Sequence, residues 1–268
     1  MYLSDYHFHT HCSSDSTATL SQQAKAAISA GVREICVTDH WNLLDQQGKR
    51  LDTVYDWKRP LEQWRRLRHR WPGQLEVRLG VEVGNGVLNP AAVDAGLELP
   101  ELDFVIGSLH SQSAAAGGRG IFTVAHACTR REEGAAVLED YVGMLEELVQ
   151  SAGYDVLGHI IYPLRYLPPE FELDLRPWWD RLAEVLRSAA AQGKGIEFNT
   201  TAGTTVEQWR DVLTLYRDLG GEVLTLGSDA HRPAHMAAAF PQALELIRAV
   251  GFRYLCVYRR RTPLFCKL

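Results

Sequence analysis

Short apolar runs alternate with longer amphipathic segments along the whole chain. The five-residue runs at 34–38, 104–108 and 195–199 centre on apolar residues and are bounded by polar or turn residues, which is typical of buried β-strands. Between them lie segments such as 19–30 and 132–152, whose apolar residues recur every three or four positions, as in helices that pack one face on a core. The order strand, loop, helix repeats about seven times, which predicts parallel strands joined by right-handed crossovers.

The same pattern gives approximate bounds for the predicted elements. We predict strands within 5–15 and at 34–38, 75–83, 104–108, 156–158, 195–199, 222–226 and 252–258, and helices at 19–30, 61–70, 90–98, 132–152, 178–192, 206–219 and 236–250. The first helix is expected to end at Gly31, because glycine is favoured just after a helix C-terminus. Residues 45–60 are polar and irregular and are predicted to form a loop over the ends of the strands.

Length and composition favour one globular domain. The chain has 268 residues, of which 46% are hydrophobic, and this is enough to bury a substantial core. No linker, low-complexity tract or abrupt change of composition interrupts it. We therefore predict a single α/β domain over residues 1–268, in which a parallel barrel is surrounded by helices. In such barrels the functional side chains lie at the C-terminal ends of the strands.

Charge and cysteine usage argue against several classes of protein. A formal net charge of -5 argues against a nucleic-acid partner, and the arginine-rich runs at 65–70 and 259–261 are interpreted as solvated faces. Five cysteines without close spacing favour reduced thiols and a cytoplasmic location. The N-terminus does not resemble a signal peptide and no apolar run approaches membrane-spanning length, so no membrane partner is expected.

The segment from Asp5 to Asp15 carries the clearest chemical signal. Alternate side chains of a strand share a face, so His7 and His9 should point the same way, with Asp5 behind them. Two imidazoles on one face can bind a divalent transition metal, and Asp5 can support them from nearby. Asp15 follows the strand, where a loop could fold it back as an oxygen ligand. The alternative is a strand that carries two incidental histidines.

Further histidines and acids lie at or just after the other predicted strand ends. They are Asp39, His40, Glu82, His110, His159, Asp229 and His231. Each one alone would be interpreted as a hydrogen-bonded surface group, but together they converge on one rim of a barrel and predict a metal site. Histidine and carboxylate ligands without cysteine pairs favour Zn²⁺, Mn²⁺ or Fe²⁺. The number of candidate ligands implies two or three ions, with Glu82 as a bridging carboxylate.

Six short motifs connect these residues to a known superfamily. They are His7-x-His9, Thr38-Asp39-His40, Gly80-Val81-Glu82, Gly107-Ser108-Leu109-His110, Gly158-His159 and Ser228-Asp229-Ala230-His231. In these motifs, which span nearly the whole chain in the same order, the sequence resembles the PHP (polymerase and histidinol phosphatase) superfamily. The resemblance implies a distorted (β/α)7 TIM-like barrel with a trinuclear metal centre. The length is similar to that of the stand-alone histidinol-phosphate phosphatase branch.

The resemblance also implies three groups of metal ligands. His7, His9, Glu82 and Asp229 would hold one ion, Glu82, His110 and His159 a second, and Asp15, His40 and His231 a third. Many phosphatases of this branch have a histidine at the position of Asp15, and an oxygen ligand there shifts the preference of the third site towards Mn²⁺, Fe²⁺ or Mg²⁺. His11 is an alternative ligand or a supporting residue.

A phosphorylated substrate requires donors beside the metals. Arg165 matches a position where the family tends to place Arg or Lys, and the alternative for it is a solvated loop arginine. Arg232 is a second candidate, and Asn199, which ends a predicted strand, could donate to phosphate or to the rest of the substrate. Asp39 could orient a ligand or cap a helix.

The resemblance implies a phosphomonoesterase that converts L-histidinol phosphate to L-histidinol and phosphate in histidine biosynthesis. A metal-bound hydroxide would attack phosphorus, and Asp229 or His231 would manage the proton that passes to the leaving alkoxide. Two alternatives stay open. A phosphodiesterase or nuclease acting on nucleotides or oligonucleotides would need a basic groove, which the net charge does not indicate. A non-catalytic metal-binding regulatory module would lack ligands, and none is clearly missing.

Overall fold

Seven parallel strand positions form a nearly closed barrel in the computed structural model, which describes residues 2–51, 54–151 and 153–268. The strands are β1 (Ser4–Asp5), β2 (Glu34–Val37), β3 (His40–Asn42), β4 (Glu76–Gly84), β5 (Phe104–Ser108), β6 (Val156–Leu157), β7 (Gly195–Asn199) and β8 (Leu224–Gly227). They follow the order β1, β2, β4, β5, β6, β7, β8. The short strand β3 continues along β4 where β2 ends and pairs with the second half of β4. The N–H of Tyr6 donates to the carbonyl of Leu226 at 2.9 Å, which connects the segment after β1 to β8. The predicted (β/α)7 barrel is therefore confirmed.

Helices cover the outside of the barrel. They are α1 (Leu20–Ser29), α2 (Lys58–Leu67), α3 (Pro90–Gly96), α4 (Ile121–His126), α5 (Arg131–Val149), α6 (Trp179–Ala191), α7 (Arg210–Asp218) and α8 (Phe240–Val250). Short 3₁₀ turns occur at Gly86–Leu88, Tyr162–Arg165, Pro169–Phe171, Arg176–Trp178, Thr201–Gly203, Glu207–Trp209 and Pro233–His235. The main hydrophobic cluster lies between helices and strands, where Leu145 of α5 and Leu186 of α6 join Val105 of β5. None of the helices in the described ranges has both the length and the apolar character needed to cross a bilayer.

The barrel interior changes from apolar to polar along the strands. In β5 the alternate residues Phe104, Ile106 and Ser108 share a face. Phe104 and Ile106 belong to a buried apolar cluster with Tyr6, whereas the hydroxyl of Ser108 donates to Oε1 of Glu82 at 2.7 Å. One alternating strand thus contributes to an apolar plug at the N-terminal end and to a polar rim at the C-terminal end.

A C-terminal hairpin covers the N-terminal end of the barrel. It consists of β9 (Tyr254–Arg259) and β10 (Thr262–Lys267), and the ring of Tyr258 lies 4.7 Å from that of Phe104 between centroids. The predicted strand at 252–258 corresponds to β9, but β10 was not predicted. Its turn uses Arg260 and Arg261 at φ values of 47° and 65°, without the Gly or Asn that usually indicates such a turn.

The start of α1 illustrates how local sequence determines an element. The side-chain oxygen of Thr19 accepts the N–H of Gln22 at 3.2 Å, and the Gln22 side chain accepts the N–H of Thr19 at 2.8 Å. This capping box satisfies donors that the first turn would leave unpaired. The helix stops before Gly31, whose φ of +77° is readily adopted by glycine, so the predicted end is confirmed.

Other element bounds differ from the prediction for local reasons. The helix predicted at 61–70 begins earlier, at Lys58, because Pro60 is tolerated in the first turn of a helix. It therefore includes the last residues of the predicted loop 45–60. Residues 52 and 53 of that loop lie outside the described residues. The helix predicted from residue 236 begins at Phe240, because Ala237 and Ala239 have left-handed φ values. The helix predicted at 206–219 begins at Arg210, after a 3₁₀ turn. The elements β3 and α4 are too short for periodicity to indicate them.

Candidate metal centre

Glu82 lies at the middle of a buried cluster of imidazoles. Its Oε1 lies 3.1 Å from Nε2 of His110 and 2.8 Å from Nε2 of His159. Its Oε2 lies 3.3 Å from Nε2 of His7 and 2.7 Å from Nδ1 of His40. The carboxylate is completely buried, and each of its oxygens faces a different pair of histidines. A carboxylate placed between two pairs of imidazoles is suited to binding a divalent metal together with them.

Asp229 brings a second carboxylate to the cluster from beyond β8. Its Oδ1 lies 3.3 Å from Nε2 of His9 and 3.6 Å from Nε2 of His7. Asp229 has a φ of +57°, which is uncommon for a residue with a side chain. Its N–H donates to the carbonyl of His7 at 2.8 Å. This hydrogen bond between the segments that follow β1 and β8 holds the strained backbone conformation of Asp229. The carboxylate therefore points at the two histidines of the first strand segment.

A third group lies nearer the solvent. Oδ2 of Asp15 lies 3.2 Å from Nε2 of His40 and 3.1 Å from Nε2 of His231. The Asp15 side chain is 52% exposed and that of His231 is 28% exposed, so this group lies at the mouth of the site. With it, the structure brings all nine ligands predicted from the sequence into one continuous cluster.

Four imidazoles of the described residues are oriented by a hydrogen bond from the nitrogen that does not face the other candidate ligands. The pairs are His7 Nδ1 with Glu197 Oε1 at 2.6 Å, His9 Nδ1 with Ser13 Oγ at 3.2 Å, His110 Nδ1 with Asn42 Oδ1 at 2.8 Å, and His231 Nδ1 with the carbonyl of Asp229 at 2.9 Å. The outer atoms accept the Nδ1 proton, so the lone pair of the neutral ring lies on Nε2 and points into the cluster. This is the arrangement that supports metal-ligating histidines in proteins.

The donor atoms fit bound divalent cations. The Nε2 atoms of His7 and His9 are 3.1 Å apart, and those of His110 and His159 are 3.3 Å apart. Within the described part of the chain, the buried Oε2 of Glu82 accepts no hydrogen bond. Two lone pairs this close repel one another unless a proton or a metal ion lies between them. Four sets of three such atoms lie within 4.8 Å of one another, so the residues present are suited to divalent metal binding.

Protonation in the cluster is set by burial and by neighbouring charge. Burial alone would raise the pKa of Glu82, but the imidazoles of His7 and His110 outweigh it and hold the pKa well below its usual value. Burial, together with the nearby imidazole of His40, lowers the pKa of His9 well below its usual value. An ionised carboxylate beside a neutral imidazole is the state in which both groups bind metals.

The pKa of His7 is shifted in the opposite direction to that of His9. Burial would lower its pKa, but the carboxylates of Glu197, Glu82 and Asp229 together raise it well above the usual value. These carboxylates favour the imidazolium form of His7, so a metal ion that binds its Nε2 competes with a proton there.

Glu197 is the main residue of the site that sequence reasoning missed. From β7 its Oε1 accepts from His7 and from Nδ2 of Asn199 at 3.0 Å, while Oε2 accepts the N–H of His159 at 3.0 Å. It therefore holds one histidine ring and the backbone of another. The available signal was a charged residue in the middle of a buried strand, since an unpaired glutamate is almost never buried.

Two glycines make room for these outer hydrogen bonds. A Cβ atom at Gly227 would lie 2.5 Å from the Cβ of His7 and would also overlap Glu197. A Cβ atom at Gly84 would lie 2.7 Å from Nδ1 of His110. Glycine at both strand ends thus allows the oriented imidazoles to approach neighbouring strands closely.

Asp39 holds the loop that follows the first strand. Its Oδ1 accepts from the N–H of Thr10 at 2.6 Å and from Oγ of Ser13 at 2.8 Å. Ser13 Oγ in turn meets Nδ1 of His9 and accepts the N–H of His40 at 3.0 Å. Asp39 caps none of the described helices, so its position favours the orienting role over the helix cap.

Asp5 supports the site from below, as the alternation of the strand predicts. Its Oδ2 accepts from Oγ of Ser228 at 2.6 Å and from the N–H of Ala237 at 3.1 Å. These bonds tie β1 to the segment that carries Asp229. Burial raises the pKa of Asp5 to about 6, although the hydrogen bonds oppose the shift.

Arg165 is buried beside Asp229. Its side chain is 4% exposed, and its Nη1 donates to Oδ2 of Asp229 at 3.1 Å. Its Nε and Nη2 are buried and find no hydrogen-bond partner among the described residues. The position is not that of a solvated loop arginine. Two unused donors beside the cluster match the needs of phosphoryl oxygens.

The structure gives Asn199 and Arg232 positions that differ from the expectation. Asn199 is fully buried, and its Nδ2 already contacts Glu197 at 3.0 Å and Asp229 at 3.3 Å. It supports those carboxylates from behind and does not offer a donor to the open cavity. Arg232 is exposed, and its side chain forms no ion pair or hydrogen bond within the described ranges.

His11 does not join the cluster. The chain turns after Thr10, so the alternation that would align His11 with His7 and His9 no longer applies. Its side chain is exposed and lines a separate cavity of about 330 Å³ with Arg59 and Arg66. This position does not support His11 as a ligand of the cluster.

An open cavity of about 590 Å³ lies over the cluster. Its floor and sides are formed by metal-ligand candidates, by polar residues of one loop and by aromatic residues. The lining residues include Asp15, His40, Glu82, His110, His159, Asp229, His231, Asn42, Asp45, Gln46, Gln47, Phe122, Tyr162 and Tyr166. A cavity of this size accommodates a small organic molecule.

We expect Glu197→Gln to weaken metal binding about tenfold or more, because a neutral amide orients and polarises His7 less strongly than a carboxylate does. The substitution leaves every candidate ligand in place. Metal dissociation constants from chelator competition measure the effect.

A matched control is Glu34→Gln, which alters a buried glutamate at the other end of the barrel. Glu34 accepts from the hydroxyl of Tyr2 at 2.8 Å and from Nη2 of Arg259 at 2.6 Å. This variant should melt at a lower temperature but bind metal like the unmodified protein. Equal metal affinity in Glu197→Gln and the unmodified protein would contradict the orienting role.

Comparison with known proteins gives sequence relatives along nearly the whole chain. The histidinol-phosphatase of Lactococcus lactis subsp. lactis (strain IL1403) is 26% identical over 258 residues, which cover 95% of this chain and 93% of that protein. A Deinococcus radiodurans protein with the name "Probable histidinol-phosphatase" is 28% identical over 277 residues, covering 97% and 98% of the two chains.

A solved structure and a family model agree with these relatives. The histidinol phosphate phosphatase of Lactococcus lactis subsp. lactis Il1403, solved with zinc, L-histidinol and phosphate, superposes with a TM-score of 0.84 at 26% identity over 98% of both chains. The model of the PHP domain matches residues 5–201, which is most of the chain. The chain therefore belongs to the PHP domain family.

Proposed function

We propose that this protein is a histidinol-phosphate phosphatase, which hydrolyses L-histidinol phosphate to L-histidinol and phosphate in histidine biosynthesis. The observation that carries the proposal is the likeness, over 98% of both chains, to a Lactococcus lactis phosphatase solved with L-histidinol and phosphate. The buried cluster of histidines and carboxylates beside Arg165 supports hydrolysis of a phosphomonoester.

The metal site is proposed to hold two or three divalent ions, with Zn, Mn and Fe as candidates. The three groups are His7, His9, Glu82 and Asp229; Glu82, His110 and His159; and Asp15, His40 and His231. Zinc in the Lactococcus structure supports divalent binding in the family. The oxygen ligand Asp15 favours a harder ion in the third group, such as Mn²⁺, Fe²⁺ or Mg²⁺.

Bound divalent ions would supply Lewis acidity, lowering the pKa of a water molecule and offsetting charge on the phosphoryl group. The protein's own residues bind and orient the substrate. Nε and Nη2 of Arg165 donate to phosphoryl oxygens, and Nη1 keeps Asp229 in place. Asp229 and His231 both line the cavity, and one of them passes a proton to the leaving alkoxide.

The functional unit is proposed to be one PHP-type phosphoesterase domain over residues 1–268. The family model ends at residue 201, but Asp229 and His231 lie beyond it and contact the same cluster as His7. A cytoplasmic location is proposed because all five cysteines are free thiols. The substrate is a small phosphorylated molecule, and neither a nucleic-acid nor a membrane partner is proposed.

We expect the metal-loaded protein to hydrolyse L-histidinol phosphate with a kcat/KM of about 10⁴ M⁻¹s⁻¹ or more, as enzymes do with their own substrates. The assay compares this substrate with a nucleotide diester and with protein treated with a chelator. Elemental analysis of the same sample counts the ions per chain.

Each alternative has its own outcome in this assay. Faster hydrolysis of the diester would favour a phosphodiesterase or nuclease. A metal-loaded sample that turns over no phosphoester would favour a non-catalytic metal-binding module. Activity that survives complete metal removal would contradict the proposed mechanism.

A further inference from the structure

Phe122 lies exposed at the mouth of the cavity although the helix that carries it has a buried face. In α4 the residues Ile121 and Ala125 are buried, and Phe122 and His126 occupy the opposite side one turn apart. The phenyl ring is 48% exposed, which is high for so large an apolar group. The ring lines the same cavity as the metal-ligand candidates.

Phe122 is the outer end of a continuous set of rings, which we call the aromatic wall and define as Tyr162, Tyr166 and Phe122. Ring centroids lie 5.0 Å apart between Phe122 and Tyr166 and 5.1 Å apart between Tyr166 and Tyr162. Tyr162 in turn lies 4.8 Å from the ring of His159. The wall therefore runs from the metal cluster to the solvent and offers a surface for a planar group.

Asp45 differs from the other carboxylates of the cavity. Asp15, Glu82 and Asp229 all contact imidazoles, whereas Asp45 contacts no imidazole of the described residues. Its Oδ1 accepts the N–H groups of residues 47 and 49 at 2.9 Å each. Its Oδ2 has no hydrogen-bond partner within the described ranges. Asp45 thus presents one available carboxylate oxygen that metal binding does not require.

The loop of Asp45 and the helix of Phe122 meet at the rim. The N–H of Gly120 donates to the carbonyl of Gln46 at 3.0 Å. Gln46 follows Asp45 directly, and Gly120 precedes Phe122 by two residues. The negative charge and the outer ring therefore lie on adjoining rim segments, outside the metal cluster.

We propose that Phe122, Tyr166 and Asp45 determine specificity for the organic part of the substrate. The rings of Phe122 and Tyr166 are inclined by 80° to each other, so the imidazole ring of L-histidinol phosphate stacks on Phe122 and meets Tyr166 edge to face. Its protonated amine pairs with Oδ2 of Asp45. This inference rests on the proposed function. It explains how a site built for any phosphomonoester distinguishes a cationic amino alcohol with a planar ring.

The test combines turnover with two competitive inhibitors, L-histidinol and inorganic phosphate. We expect Phe122→Ala and Asp45→Asn each to lower kcat/KM for L-histidinol phosphate about tenfold and to raise the Ki of L-histidinol by a similar factor. The Ki of phosphate should not change, because phosphate binds at the metal cluster and Arg165. Phe122→Tyr should restore the Ki of L-histidinol.

Phe265→Ala is a matched control, because this phenyl ring is also 48% exposed but lies on β10 at the other end of the barrel. It should leave both Ki values unchanged. An unchanged Ki for L-histidinol in Phe122→Ala and Asp45→Asn, an equal rise of both Ki values, or no inhibition of the unmodified enzyme by L-histidinol would overturn the inference. If the unmodified protein does not hydrolyse L-histidinol phosphate, the proposed function itself fails, which is a separate result.

Discussion

Glu82→Gln is expected to lower kcat/KM for L-histidinol phosphate about 10³-fold or more and to reduce the amount of bound metal. Both oxygens of Glu82 face imidazole nitrogens, with four histidines between 2.7 and 3.3 Å away. Glutamine has the same shape, but it replaces one charged oxygen with an N–H₂ donor that binds no metal. Steady-state kinetics and elemental analysis of the purified variant measure the two effects.

The control for this prediction is again Glu34→Gln, which removes a buried carboxylate of the barrel without touching the cluster. It should keep its metal content and its activity at temperatures where it is folded. A Glu82→Gln variant with the metal content and activity of the unmodified protein would exclude Glu82 as a metal ligand.

The convergence of the candidate ligands could be predicted because it depends on topology more than on detail. His7 and Asp229 lie near opposite ends of the chain, yet their side chains are 3.6 Å apart. Parallel strands joined by outer helices place all their C-terminal ends on one rim, so histidines and acids after several strands must meet there. Periodicity and turn residues were sufficient to locate most of those strand ends.

The residues that orient the ligands could not be predicted in the same way. Ser13 reaches His9 from a turn, and Asn42 reaches His110 from β3, a strand too short for periodicity to indicate. Glu197 lies on a predicted strand, but its role depends on the neighbouring strand that carries His7. Asn199 shows the same limit, since its position at a strand end does not indicate which groups its side-chain amide contacts.

The separation of His11 from the cluster has a simple physical cause. Strand alternation holds only while the backbone stays extended, and the hydrogen bond from Thr10 to Asp39 marks the start of a turn. A buried acid that accepts loop N–H groups is difficult to identify without the fold. Asp39 has a large effect on the site, because the turn that it holds brings Ser13 next to His9.

Arg165→Ala should raise KM for L-histidinol phosphate about 100-fold with a smaller change in kcat, because charge-assisted hydrogen bonds to phosphate form in both the ground state and the transition state. The Ki of inorganic phosphate should rise in parallel. Arg165→Lys keeps the charge but lacks the planar set of donors, so its KM should be intermediate. Arg181→Ala is a suitable control, since among the residues that the structure describes that arginine forms ion pairs only with Glu139 and Glu146 on the outer surface. Unchanged kinetics in Arg165→Ala would leave the two buried donors without a role in binding, and an equal loss in kcat would instead assign the residue to the transition state alone.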